Sequence, residues 1–167
     1  MQPVFGATLD YEKIELRRGA GRNPIAAVAF ANASAAIALG NTIYVHEACW
    51  SDDYAKRGDM GLVFHETTHM YQYANTLPGG VLGPPLIGLQ SLLMGGGAFA
   101  YEIGGVTADT DFNALGFEQQ AVVVETFAKA ARIRDLDRAL MCARVLRTAN
   151  PMLLPTGTPA EVCALLV

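Results

Sequence analysis

The sequence has few of the residues that mark disulfide-rich or nucleic-acid-binding proteins. Its three cysteines, Cys49, Cys142 and Cys163, are odd in number and form no Cys-x-x-Cys pair. We therefore expect reduced core thiols in a reducing compartment. Only 17% of the residues are charged, the formal net charge is −4, and no basic cluster extends beyond Arg17 and Arg18. This charge distribution gives no reason to expect a nucleic-acid partner.

The chain also lacks the marks of a secretory leader or a membrane span. Residues 1–6 have neither the basic start nor the apolar run of a signal peptide. The most apolar segment, residues 81–100, contains two prolines and the glycine run 95–97. A buried or interfacial helix suits this segment better than a transmembrane helix. We expect a protein that is cytoplasmic as synthesised, and any export would need a machine that reads no signal peptide.

The length and the apolar content favour one folded domain. The chain has 167 residues, of which 51% are hydrophobic, and this is enough to bury a substantial core. We expect a single domain over residues 1–167. Residues 1–50 should lie mainly in strands and residues 51–167 mainly in helices.

The first 50 residues predict a small β-sheet. Residues 13–16 alternate polar and apolar side chains, as a strand does. Residues 35–39 and 42–45 flank Gly40 and Asn41, which is a signal for a two-residue hairpin. The short apolar run 25–30 is expected to be a buried strand. The prediction is a sheet of three or four strands.

The remainder of the chain predicts helices. No proline interrupts residues 54–77, but two early glycines place the start of this helix after Tyr54. Further helices are expected over residues 85–94, 116–134 and 136–148. Thr158, Pro159 and Glu161 form the start of a last helix, with a capping box. A sheet followed by helices is the pattern of an α+β domain.

The strongest motif of the chain lies in the helix predicted over residues 54–77. Residues 65–69 read His-Glu-x-x-His, which places His65 and His69 on one face of a helix, where both can bind one metal ion. Glu66 lies about 100° round the helix, within reach of a water on that ion. Gly61, one turn before His65, is expected to leave this face open. A core-facing stripe is expected opposite the histidines, formed by Met60, Val63, Thr67, Met70 and Ala74.

A catalytic zinc site needs a third protein ligand and an open position for water. The glycine and histidine that follow the motif in one extended pattern are replaced here by Gln72 and Asn75. His46 is one option for the third ligand. A carboxylate from later in the chain is the other, and the candidates are Glu102, Asp109, Asp111, Glu118 and Glu125.

Glu118 is the preferred third ligand. It is followed one turn later by Ala121, whose small side chain allows a close approach to the motif helix. Glu125 lies seven residues after Glu118 and therefore on the same helix face. Glu125 could be the ligand instead, or it could hold the second nitrogen of a metal-binding histidine.

Several sequence blocks, taken in order, resemble one protein family. They are residues 5–6 and 9–11, 39–44, the motif with Gln72, and 118–121. Over residues 5–134 the chain resembles the zincin-like metallopeptidase domains related to Vgr proteins of bacteria, some of which belong to contractile injection systems and polymorphic toxins. Met70 and Tyr71 depart from the aliphatic residues usual after the second histidine. From Leu136 onward no family is matched.

The resemblance implies a zincin-like fold and a gluzincin-type Zn²⁺ site. His65, His69 and Glu118 would be the metal ligands and Glu66 the general base. It also implies a peptide or protein substrate, and a partner in a secretion system or toxin.

Two functions follow as hypotheses. In a zinc metallopeptidase, Glu66 would take a proton from the attacking water and pass it to the leaving amine. Residues 42–45 would be the strand edge along which a peptide pairs. Candidate donors to the oxyanion are Tyr73, His46 and Tyr101. The alternative is a non-catalytic metal-binding or scaffold module, with residues 86–97 as a partner surface, although an intact Glu66 argues against it.

Overall fold

The computed structural model describes residues 1–76, 102–149, 154 and 158–165 of the chain. The described part is a mixed α+β structure in which a three-stranded sheet precedes most of the helices. Its longer elements are α1 (Gln2–Phe5), β1 (Glu15–Arg18), α2 (Pro24–Ala31), β2 (Ala36–Leu39), β3 (Thr42–Val45), α3 (Tyr54–Arg57), α4 (Met60–Thr76), α5 (Phe117–Arg132), α6 (Leu136–Thr148) and α7 (Pro159–Leu165). The predicted helix 85–94 lies outside the described residues.

The predicted hairpin is confirmed, and it fixes the register of the sheet. β2 and β3 pair antiparallel, with Leu39 opposite Thr42 across the two-residue loop. Gly40 has a φ of 60°, a conformation that glycine adopts at little cost. β1 pairs with β3 in parallel, so the strand order is β1-β3-β2. The prediction that residues 42–45 form an edge is wrong, because β3 is the central strand and has a partner on both sides.

The apolar run 25–30 is helical, so the prediction of a strand there is wrong. The Asn23 side chain accepts hydrogen bonds from the N–H groups of Ile25 and Ala26, at 3.0 and 3.2 Å. Pro24 occupies the first turn, and four of the eight residues of α2 are alanine. An asparagine cap, a proline at the start and a high alanine content all favour a helix over a strand.

The motif helix α4 begins at Met60, as the glycines predict, after α3 ends at Gly58 with a φ of 91°. It lies between the sheet on one side and α5 on the other. Val63 and Met70 pack in the core on the sheet side, and Phe64 and Tyr71 pack in the core on the α5 side. The predicted single stripe is therefore only part of the buried surface of α4, and Ala74 is exposed.

The later helices lie where the sequence places them. α5 and α6 are joined at Asp135, whose side chain accepts a hydrogen bond from the N–H of Arg138 at 3.2 Å. The predicted capping box at α7 is confirmed by reciprocal hydrogen bonds between Thr158 and Glu161. α7 carries Val162 into the core on the α5 side, where it joins residues of α1, α5 and α6.

All three cysteines are free, and Cys142 and Cys163 are buried, as predicted for core thiols; Cys49 is half-buried. In the described part of the chain, we find no helix with the length and apolarity needed to span a bilayer.

Candidate metal centre

Helix α4 brings the two motif histidines together at its buried centre. His65 and His69 are one turn apart, and their ring centroids are 5.0 Å from each other. They are only 8% and 6% exposed. Two buried imidazoles need partners for their nitrogens, because an unpaired buried polar group is costly. The partners of the ring nitrogens therefore define the site.

Glu118 supplies the carboxylate that faces both rings. It lies in the first turn of α5, next to Gly116, whose N–H donates to the Gln119 side chain at 3.1 Å. The Oε2 atom of Glu118 is 3.3 Å from Nε2 of His65 and 3.5 Å from Nε2 of His69. Ala121, one turn along α5, is fully buried.

These separations can be compared with the geometry that zinc requires. Four ligands at about 2.0–2.1 Å in a tetrahedron are separated from one another by about 3.3–3.4 Å. The measured separations of 3.3 and 3.5 Å are close to that value. One ligand atom from each of His65, His69 and Glu118 lies within 4.8 Å of the others, a group that could hold a metal ion. Two imidazoles and one carboxylate are a donor set found in catalytic zinc sites.

Glu125 binds the other nitrogen of His65. Its Oε2 is 2.9 Å from Nδ1 of His65, and its Oε1 accepts a hydrogen bond from Lys129. This is the nitrogen of His65 that does not face Glu118. The contact fits the second role predicted for Glu125, that of holding a metal-binding histidine. The face at Gly61, predicted to be open, is covered by the Lys129 side chain, and a Cβ at Gly61 would overlap it.

A buried amide network holds His69. Its Nδ1 is 2.9 Å from Oε1 of Gln72, whose amide nitrogen donates to the Phe117 carbonyl and to the Gln120 side chain. The amide nitrogen of Gln120 donates in turn to the Phe112 and Leu115 carbonyls. Because the Gln72 nitrogen is directed at two acceptors, its oxygen must accept from His69. When the ring is neutral, as a metal ligand must be, this places the proton on Nδ1 and leaves the Nε2 lone pair directed at the candidate metal site.

Gln72 and Gln120 are residues that the sequence reasoning missed. Gln72 carries a signal in hindsight, since it follows His69 by three residues and so shares its helix face. Gln120 carries none, because its partner Gln72 is 48 residues away in the sequence.

Glu66 is buried beside the histidines and contacts the edge of the sheet. Burial raises the pKa of its carboxyl group, and the nearby His69 and His65 lower it in part. The Ala38 backbone N–H in β2 faces this carboxylate and also lowers its pKa in part. α4 thereby holds its predicted base against β2.

In the absence of a metal ion, the carboxylates hold a proton on His65. Burial lowers the pKa of this imidazole, but hydrogen bonds with Glu118 and Glu125 outweigh it and raise the pKa to about 10. Burial raises the pKa of both carboxyl groups, and hydrogen bonds with the histidines outweigh it. The pKa of Glu118 falls below its usual range, and that of Glu125 falls to about 2 with help from Lys129.

The other predicted ligands and donors lie elsewhere. His46 begins the turn Glu47–Cys49, where its Nδ1 accepts from the Ala48 N–H at 3.2 Å, and its ring packs edge-on against Phe30. The Tyr73 hydroxyl donates to the Ala38 carbonyl at 3.1 Å, which commits its only proton. Tyr101 is outside the described residues. The acidic residues not brought into the group with the histidines are Glu102, Asp109 and Asp111.

Comparison of the chain with protein-family models, with curated proteins and with solved structures finds no match. The resemblance of residues 5–134 to Vgr-related zincin-like domains therefore stays a prediction.

Proposed function

We propose that the protein is a zinc-dependent metallopeptidase with a zincin-like fold and a gluzincin-type site. The observation that carries the proposal is the position of one Glu118 oxygen at 3.3 and 3.5 Å from the two histidine Nε2 atoms. Both distances match the edge of a zinc tetrahedron. Glu66, on the same helix as the two histidines, has a buried carboxylate. It could act as a general base, which a purely structural metal site does not need.

His65, His69 and Glu118 would hold the ion, with a fourth position left for water. Bound zinc lowers the pKa of a water molecule to about 7 and polarises a scissile carbonyl. Glu66 accepts the proton of the attacking water at its carboxylate and later donates it to the leaving amine.

The substrate would be an extended peptide paired with β2. This strand is an edge of the sheet and lies against α4. Because Leu39 and Thr42 close a two-residue hairpin, Ala36 and Ala38 direct their backbone groups away from β3. The carbonyl of Ala38 accepts from the Tyr73 hydroxyl, and its N–H faces Glu66. The outward groups of Ala36 have no partner within the described residues, so a peptide would pair there. The resemblance adds an expected partner in a bacterial secretion system or toxin.

A screen of zinc-loaded protein against peptide libraries tests the proposal. The wild type should cleave at least one peptide, and Glu66→Gln should bind zinc equally well and cleave that peptide at least about 100-fold more slowly. Cleavage by Glu66→Gln at the wild-type rate would overturn the mechanism. If the wild type and Glu66→Gln bind equal amounts of zinc and the wild type cleaves no peptide, the non-catalytic scaffold module would be favoured.

A further inference from the structure

One cavity of the molecule is lined by arginines. It has a volume of about 350 Å³ and is formed by residues 17–24, which connect β1 to α2, together with Tyr44. Three arginines, Arg17, Arg18 and Arg22, line it within six residues of sequence. Arginine is well suited to phosphate, because its planar fork makes paired hydrogen bonds to phosphate oxygens.

The charges in this basic cavity are only weakly neutralised. Arg17 contacts Glu15 at 2.7 Å and Arg18 contacts Glu47 at 3.7 Å, and in both pairs the side chains are more than half exposed. Such exposed pairs are weak and can exchange for another anion. In the part of the chain that the structure describes, Arg22 has no acidic partner.

The backbone of the same loop offers further donors. Gly19 and Gly21 have φ values of 67° and 54°. Among the described residues, the N–H groups of Ala20, Gly21 and Arg22 donate to no protein acceptor. A Cβ at Gly21 would meet nothing within 4 Å, so the loop is open to a ligand at that point. Free N–H groups beside guanidinium groups are suited to bind an oxyanion.

This cavity lies on the other face of the sheet from the metal centre. Ile43 and Val45 point into the core beneath α4, so Tyr44 between them points to the opposite face. Arg17 is the register partner of Tyr44 on β1 and shares that face. A ligand bound here would not touch the metal site.

An exposed apolar surface continues from the cavity along α2. The helix has no charged residue, and its Pro24 lines the cavity. Ile25 and Val28, three residues apart and on one side of the helix, are 56% and 62% exposed. Apolar side chains next to a cluster of arginines are typical of surfaces that bind anionic membranes, where the cations meet the headgroups and the apolar groups enter the acyl boundary.

We infer that residues 17–24 and the exposed side of α2 dock the protein on an anionic membrane surface. The cavity would bind the phosphate of a lipid headgroup, with Arg22 as its principal cation. Ile25 and Val28 would enter the boundary between headgroups and acyl chains. The catalytic face would then be directed away from the membrane, because it lies across the sheet.

Sedimentation with lipid vesicles tests this inference. We expect binding to vesicles that contain phosphatidylglycerol and none to vesicles of phosphatidylcholine alone. Arg17→Gln/Arg22→Gln should weaken binding about 30-fold, since each basic residue at such a surface contributes roughly fivefold. Ile25→Ser/Val28→Ser should weaken it about tenfold through loss of apolar burial.

Matched variants separate docking from general charge. Arg138→Gln/Arg144→Gln removes the same charge from exposed positions of α6 and should leave vesicle binding within about twofold. An equal loss in this control, or equal binding to both kinds of vesicle, would overturn the inference. Binding of inorganic phosphate by calorimetry without vesicle binding would overturn the membrane as the source of the phosphate. Glu66→Gln should bind vesicles as the wild type does, so failure of the proposed peptidase function would leave this result unchanged.

Discussion

Charged side chains have opposite environments in the candidate metal centre and in the basic cavity. Between α4 and α5, His65 and Glu66 are buried and the Glu118 side chain is only 13% exposed, and all three contact defined partners. Around the basic cavity, Arg17 and Arg18 are exposed and only loosely paired with carboxylates. A buried charge is tolerated only in a precise arrangement, whereas an exposed charge is solvated and can exchange partners. We propose that the first region holds one ion in fixed geometry and that the second meets a membrane surface.

The largest expected effect tests the base in the buried region. Glu66→Gln should reduce peptide turnover about 10²–10⁴-fold, because the amide cannot accept the proton of the attacking water. Zinc content, measured on the same samples by mass spectrometry, should not change. A loss of zinc equal to the loss of turnover would mean that Glu66 is a ligand and would contradict its assignment as base.

The contact between Glu125 and His65 should matter for metal affinity. Glu125→Gln should weaken zinc binding about 10–100-fold, since a carboxylate that holds a ligating histidine increases its basicity and fixes its orientation. Competition with a chelator measures this affinity. Glu102→Gln, an exposed carboxylate on the described chain, is the matched control and should bind zinc as the wild type does.

The amide network should matter for stability even without zinc. Gln72 is 1% exposed, and Gln72→Ala would leave the Nδ1 proton of His69 and the side-chain oxygen of Gln120 without their partner. Each unsatisfied buried group costs about 1–3 kcal/mol, so for the two groups we expect a loss of about 2–6 kcal/mol in urea unfolding of the metal-free protein. Asn75→Ala, an exposed amide on the same helix, should change the free energy of unfolding by less than about 0.5 kcal/mol. If Gln72→Ala and Asn75→Ala changed the free energy of unfolding equally, the buried amide network would contribute no more to stability than an exposed amide does.

The smallest effect is expected in the exposed region. Arg17→Gln/Arg22→Gln should leave the urea midpoint of unfolding unchanged within error, since exposed ion pairs contribute little to stability. A clear fall of the midpoint would show that the arginines hold the loop together. The cavity would then be a structural feature and not a docking site.

Local sequence signals were enough to predict much of the fold. The hairpin at Gly40 and Asn41, the late start of α4 and the capping box at Thr158 depend on residues close together in the chain, and all three are confirmed. The apolar run of α2 was misread because apolarity alone does not distinguish a short buried strand from a helix. The cap at Asn23 would have made the distinction.

The candidate metal ligands could be predicted from the sequence, but the residues that hold them in place could not. The spacing of the motif places His65 and His69 together on any helix, and Glu118 could be chosen from a short list of carboxylates. The contacts of Gln72 with Gln120 and of His65 with Glu125 depend on how α4 and α5 pack. Arg22 was overlooked as part of a basic cluster because the turn of residues 19–21 separates it from Arg17 and Arg18 in the sequence.

The central claim is that His65, His69 and Glu118 bind one zinc ion, and native mass spectrometry tests it most directly. After incubation with zinc and removal of the excess, the wild type should carry one zinc per chain. Glu118→Ala should carry none, and His46→Ala should carry one. A folded wild type without zinc, or a Glu118→Ala variant that keeps it, would contradict the assignment of the site.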